Sequence, residues 1–204
     1  MKILMLYYPR SGSTSILRYF EKLKPEYTII NQPWSPLVSQ LESRLKISYS
    51  EIISHKDVLV KSTIPLFLSK DIPPETIQND FDKIFILIRR NKEEQIESYI
   101  NATKNKSFLD HTPTNYWIGE YNEDVVTKKI KSEIEASEEI ANFIKNKLNV
   151  PLFYYEDIFV DKDIETIKRL NEYCGIEYNQ ICIDEWINSP YKKVRLDKKI
   201  NGLI

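Results

Sequence analysis

Long apolar runs are missing from this chain of 204 residues. The stretches Ile3 to Tyr8 and Ile84 to Ile88 have the length of a strand, too short to span a bilayer or to form the apolar core of a secretion signal. A protein with no membrane insertion and a cytoplasmic location is therefore expected. Cysteine is scarce: Cys174 and Cys182 are the two present, too few and too isolated for a disulfide scaffold or a four-ligand zinc site. Histidine is as rare, with His55 and His111 alone, which excludes a histidine-rich metal centre, so no metal is expected. An excess of either charge is also absent. Against 29 Lys and Arg stand 30 Asp and Glu, a formal net charge of −1, whereas general nucleic-acid binders carry a large basic surplus. No nucleic-acid partner is expected, and any anion site has to be a local cluster. With 4 Gly and 10 Pro there is no low-complexity tract or linker, and the length suits one core, so residues 1–204 are read as a single domain.

What is present begins at the amino-terminal end. Lys2 to Tyr8 has the length and composition of a strand, and Pro9-Arg10-Ser11-Gly12-Ser13-Thr14-Ser15 is a short turn. Apolar residues then recur with helical spacing at Ile16, Leu17, Phe20 and Leu23. Strand, loop and helix in that order aim backbone N–H groups and the positive end of a helix dipole at one point, with hydroxyls and the charge of Arg10 beside them, which suits an anion. The nucleotide-triphosphate loop G-x-x-x-x-G-K-[ST] is not met: the spacing is shorter, and Arg10 precedes the glycine where that motif has lysine after it. The plainer alternative is a Ser/Gly/Thr turn that only caps the next helix.

Further along, strands are read at Tyr27 to Asn31, Asp57 to Lys61, Lys83 to Ile88 and Asn149 to Tyr155. Helices are read near Leu37 to Leu45, from Pro74, over Lys92 to Thr103, as one long element from about Asn122 to Leu148, and from about Ile164 to Cys174. Phe108 to Glu120, with His111, Tyr116 and Trp117, has no clean period and is read as a loop or short helix near the site. Alternating strands and helices give an α/β fold of three layers, α/β/α, with a central parallel sheet of about five strands. In such a sheet ligands bind at the carboxyl ends of the strands. Those ends carry the Arg10 loop, Lys61-Ser62-Thr63-Ile64-Pro65, Arg89-Arg90-Asn91-Lys92, and Tyr154-Tyr155-Glu156-Asp157.

Two of these ends match motifs. Pro9-Arg10-Ser11-Gly12-Ser13-Thr14 resembles the first loop, near P-[KR]-S-G-T-T, of the sulfotransferases that use 3′-phosphoadenosine 5′-phosphosulfate (PAPS). Arg90, Asn91, Glu94, Ser98 and Tyr99 match in register that family's R-[DN]-P-x-[DE]-x-x-x-S-Y. Lys61 to Pro65 is similar to its K-[TS]-H-x-P segment, and Tyr155-Glu156-Asp157 to its Y-E-D segment. The resemblance implies a domain like that of the P-loop NTPases and transfer of a sulfuryl group from PAPS to a hydroxyl or amine of a small-molecule or carbohydrate acceptor, releasing 3′-phosphoadenosine 5′-phosphate (PAP).

By the same resemblance, Ser11, Gly12, Ser13 and Thr14 would hold the 5′-phosphosulfate, Arg10 would stabilise charge on the departing phosphate, and Arg90 and Ser98 would hold the 3′-phosphate. Ser15 closes the cofactor-binding set but departs from the family, which often has there a tryptophan stacked on adenine, so the stacking would fall to Tyr155. Lys61 would sit near the bridging oxygen, where a fixed cation stabilises growing charge. Lys198 and Lys199, in the basic tail of residues 190–204, partly reproduce a loop that closes over the 3′-phosphate. The sequence departs from the family at Thr63, which occupies the place of the usual histidine base and cannot take a proton at neutral pH. His111 is the candidate base, with His55 and loop carboxylates behind it. Trp34, Phe67, Tyr116, Trp117 and Tyr121 are candidate walls for an acceptor. Two other readings stay open: an atypical nucleotide or small-metabolite kinase, and a catalytically silent nucleotide-binding module.

Overall fold

Three adjacent strand ends line up in one row, and the segments that follow them carry Arg10, Arg89 and Arg90. In the computed structural model, which describes residues 1–31, 33, 48–68, 72–104 and 123–188, strand β1 (Lys2–Tyr7) lies between β3 (Val58–Thr63) and β4 (Lys83–Ile88). Tyr7 is level with Thr63 on one side and with Leu87 on the other. Strand β2 (Thr28–Asn31) adds to β3, and β5 (Leu152–Tyr154) adds to β4. All four pairings are parallel, in the order β2-β3-β1-β4-β5. The sheet of about five parallel strands expected from the sequence is thus present.

Both faces of the sheet are covered, which is why its strands read as continuous apolar runs. Leu4, Leu6, Val58, Val60, Ile84, Ile86 and Ile88 point to one side. There they meet helices α2 (Tyr49–Ser54), α3 (Ile64–Leu68), α4 (Pro74–Asp80), α6 (Glu123–Glu135) and α7 (Ser137–Leu148), with α5 (Lys92–Lys104) at the edge. Ile3, Met5, Tyr7, Leu59, Phe85 and Leu87 point to the other, against α1 (Ser13–Leu23), α8 (Tyr155–Phe159), α9 (Ile164–Tyr173) and α10 (Gln180–Asn188). Since β1 feeds α1 on one face while its neighbour β4 feeds α5 on the other, the two loops part company and leave a crevice at the strand ends, the topological switch point of an open parallel sheet.

Four expectations need correction. The long helix is two: α6 and α7 are interrupted at Ala136, where the fully buried Ser137 accepts from Lys92 Nζ at 3.0 Å. The apolar stripe keeps its phase across the break, with Ile134 and Ala141 both buried, so periodicity alone shows one element. Strand β5 is short at both ends, because Asn149 takes a left-handed conformation (φ 50°) that ends α7 and Tyr155 already opens α8. The segment after β3 is helical from Ile64, and its Phe67 is core, not acceptor wall. Helices α2, α8 and α10 have no counterpart in the sequence reading. The expected helix near Leu37 to Leu45, the stretch Phe108 to Glu120 with His111, the residues Trp34, Tyr116, Trp117 and Tyr121, and the tail bearing Lys198 and Lys199 lie outside the described residues.

Candidate functional site

Helix α1 begins earlier than its apolar spacing suggests, so Ser13, Thr14 and Ser15 form its first turn and Gly12 is its cap. No side chain caps it. The first N–H groups that bond within the helix are those of Ser15 and Ile16, both to the Gly12 carbonyl at 2.9 and 3.2 Å, so those before them face outward, as the opening N–H groups of any helix do. Gly12 has φ 78°, and a Cβ there would lie 2.6 Å from Phe159 Cε2 and 2.8 Å from Tyr155 Cδ2. Glycine is required on both counts. Arg10 is left-handed too, at φ 67°, a conformation that costs a non-glycine residue about 1 kcal/mol or more and recurs at binding loops.

The hydroxyls of this loop do not all converge. Ser11, fully buried, donates to the Tyr8 carbonyl at 2.7 Å and so closes the turn. Thr14 Oγ1 accepts from Lys61 Nζ at 3.0 Å. Lys61, at the carboxyl end of β3, is only 4% exposed, and its ammonium stands 4.8 Å from the centre of the Tyr7 ring. Among the described residues no carboxylate is paired with it, and burial together with the charge of Arg18 pushes its pKa down to about 7. A bound anion would supply the missing counter-charge.

On the other wall of the crevice, α5 reaches the loop directly. Arg10 Nε donates to Ser98 Oγ at 3.0 Å, and the buried Gln95 donates from Nε2 to the Pro9 carbonyl at 2.7 Å. Thus the two motifs, distant in sequence, meet. Gln95 went unnoticed in the sequence, although it lies one helical turn from Ser98 and shares its face. Beside this contact opens a cavity of about 430 Å3 lined by Arg10, Arg89 and five residues of α5, among them Glu94, Glu97 and Ser98.

The arginine pair at the end of β4 divides its work. Arg90 lies over the Tyr154 ring at 3.8 Å and grips Asp157 with both terminal nitrogens, one of them at 2.9 Å from Oδ2. It does not line the cavity. Arg89 does: its guanidinium lies 4.6 Å from the Tyr155 ring centre and pairs with Glu94, while its Nε is 3.7 Å from Glu156. Glu156, missed from the sequence as a functional residue, accepts at 2.9 Å from the backbone N–H of both Arg90 and Asn91. The asparagine of the motif is a helix cap, its Oδ1 accepting from Glu94 N at 3.1 Å. Tyr155 packs against Phe159 at 5.0 Å, so the ring expected beside an adenine forms the back wall of the Gly12 turn. Thr63, almost buried at the end of β3, stands level with Tyr7.

An uncapped helix N-terminus after the first strand, with a buried lysine beside it, thus stands at the switch point of a three-layer α/β fold of P-loop-like architecture. The fold matches that of a solved sulfotransferase. The chain is similar to mouse sulfotransferase SULT7A1 complexed with PAP, with a TM-score of 0.54 over 92% of this chain at 18% sequence identity. It spans 63% of the length of that chain. No protein-family profile and no curated protein sequence matches. No helix among the described residues is long and apolar enough to cross a membrane.

Proposed function

We propose that this chain is a PAPS-dependent sulfotransferase, moving the sulfuryl group to a hydroxyl or amine of a small-molecule or carbohydrate acceptor and releasing PAP. The observation that carries the reading is the contact of Arg10 with Ser98 across the crevice, which joins the loop suited to a 5′-phosphosulfate to the serine that the resemblance assigns to a 3′-phosphate. The chain's own groups fit such a ligand: outward N–H groups at the start of α1, the Arg10 guanidinium, and an ammonium at Lys61 with no carboxylate partner among the described residues. The SULT7A1 likeness, a sulfotransferase complexed with PAP, agrees with it.

PAPS supplies an activated sulfuryl group, and its leaving group is a phosphate oxygen that gains negative charge. Lys61 and the first turn of α1 stabilise that charge, because they are fixed donors in a place sheltered from water. Arg10, held by Ser98, keeps the loop and α5 at one spacing, so the two ends of the nucleotide are oriented together. Binding of an anion raises the Lys61 pKa again, so the ammonium is protonated when the bond to sulfur breaks. Thr63 cannot accept the acceptor's proton. That task falls to His111 or a carboxylate of the acceptor side.

Calorimetry with PAP on one hand and ATP plus Mg2+ on the other tests the reading, followed by transfer of labelled sulfate from PAPS to an acceptor library. The expected outcome is binding of PAP but not of ATP with Mg2+, and labelled product. The reverse preference would make the chain a kinase, and binding without any transfer or hydrolysis would make it a silent nucleotide-binding module.

A further inference from the structure

We propose that Arg89, the residue ahead of the one that the motif singles out, is the guanidinium this crevice offers to the phosphate farther from the Gly12 turn, and that Glu94 is an internal carboxylate which this phosphate must displace. The inference rests on the sulfotransferase reading and deepens it.

Arg89 shares the cavity with Arg10 and Ser98, whereas Arg90 does not. Its side chain is 12% exposed and Arg90's is 47%, so a charge-assisted bond to Arg89 is the less screened of the two. The guanidinium is also held in place: it lies on the Tyr155 ring, and the Arg89 carbonyl accepts from Lys92 Nζ at 2.5 Å. A planar fork kept in position loses little freedom when it takes two phosphate oxygens.

The two carboxylates around Arg89 are unequal. Glu156 is 16% exposed and anchored by the N–H groups of Arg90 and Asn91. Glu94 is 59% exposed on the outer side of α5. Leaving Arg89 therefore costs Glu94 little, since an exposed ion pair is weak and water replaces it. For Glu156 departure would strip the start of α5 of its partners. One carboxylate stays and orients the arginine, and the other yields its place to a ligand of higher charge. The Arg89 Nε atom, buried and without a hydrogen bond, shows that the pairing in the free chain leaves donor capacity over.

Titration calorimetry at fixed ionic strength with adenosine 3′,5′-bisphosphate and with adenosine 5′-monophosphate tests this on the wild type, Glu94→Gln and Arg89→Lys. Glu94→Gln is expected to tighten the bisphosphate by about two- to fivefold and to leave the monophosphate alone. Arg89→Lys, which keeps the charge that Glu156 needs, is expected to weaken the bisphosphate by about tenfold, again without effect on the monophosphate. Unchanged or weaker bisphosphate binding in Glu94→Gln, or equal losses on both nucleotides in Arg89→Lys, overturns the proposal. A wild type with no preference for the bisphosphate sinks the sulfotransferase reading itself, and this inference with it.

Discussion

The two ends of the crevice handle charge in opposite ways. Around the Gly12 turn, Lys61 and the start of α1 present positive charge that no carboxylate among the described residues answers. At the end of β4, by contrast, both arginines are already paired, Arg89 with Glu94 and Glu156, Arg90 with Asp157. One end is therefore prepared for an anion at a cost in stability, because a buried unpaired ammonium is unfavourable. The other is neutralised from within and exchanges partners on binding. An anion at the first end relieves a strain, and an anion at the second must compete.

The largest effect should come from removing the cation at the prepared end. Lys61→Met is expected to lower sulfuryl transfer by about 100-fold or more while the folded protein becomes more stable near neutral pH. The sign follows from linkage. With a folded pKa of about 7 against 10.5 for the free side chain, the unfolded chain holds more protons between those values, so wild-type stability rises as pH climbs from 7 towards 10.5. Denaturant titrations at several pH values should show a steeper rise in the wild type than in Lys61→Met, whose remaining slope belongs to other shifted groups such as Lys92 and Cys174. A parallel slope in both would mean that Lys61 carries its charge freely and that the contrast between the two ends is wrong.

A smaller effect is expected at the turn itself. Gly12→Ala combines a left-handed backbone with a Cβ pressed onto the Phe159 and Tyr155 rings, and should destabilise the protein by about 1–3 kcal/mol. PAP affinity should drop with it, since the N–H groups of the first turn move. Thermal denaturation and calorimetry on the same samples check both. The smallest effect belongs to the exchanging end: Arg90→Ala should cost at most about 1 kcal/mol of stability, as exposed ion pairs do. If it nevertheless erased the preference for adenosine 3′,5′-bisphosphate more completely than Arg89→Lys, the role would pass from Arg89 to Arg90.

Much of the scaffold was legible because burial on both faces writes itself into β1, β3 and β4 as unbroken apolar runs. The loop was legible too, as it follows directly from the first of them. Motif spacing singled out Ser98, and folding sets it against Arg10. Spacing could not tell which arginine faces the crevice. Side chains alternate dependably only while the strand lasts, and β4 ends at Ile88. Beyond that point Glu156, brought in from α8, takes the N–H groups of residues 90 and 91 and so decides which way each guanidinium points. Helix α8 was itself hidden, since Tyr154-Tyr155 prolongs a strand-like run. Gln95 and Glu156 are polar residues whose importance comes only from what folding puts beside them.

Helix α10 gives the molecule a built-in optical probe. Trp186 stacks on Tyr19 at 4.1 Å and meets Phe159 edge-on at 5.3 Å, and its indole N–H donates to the Ser15 carbonyl at 2.9 Å. Phe159 is the ring that a side chain at Gly12 would strike. One indole is thus wired to both the first turn of α1 and the wall behind it, and its emission should register any rearrangement there. With Trp34 and Trp117 replaced by phenylalanine, the chain would report occupancy of its own crevice through a single fluorophore, with no label attached.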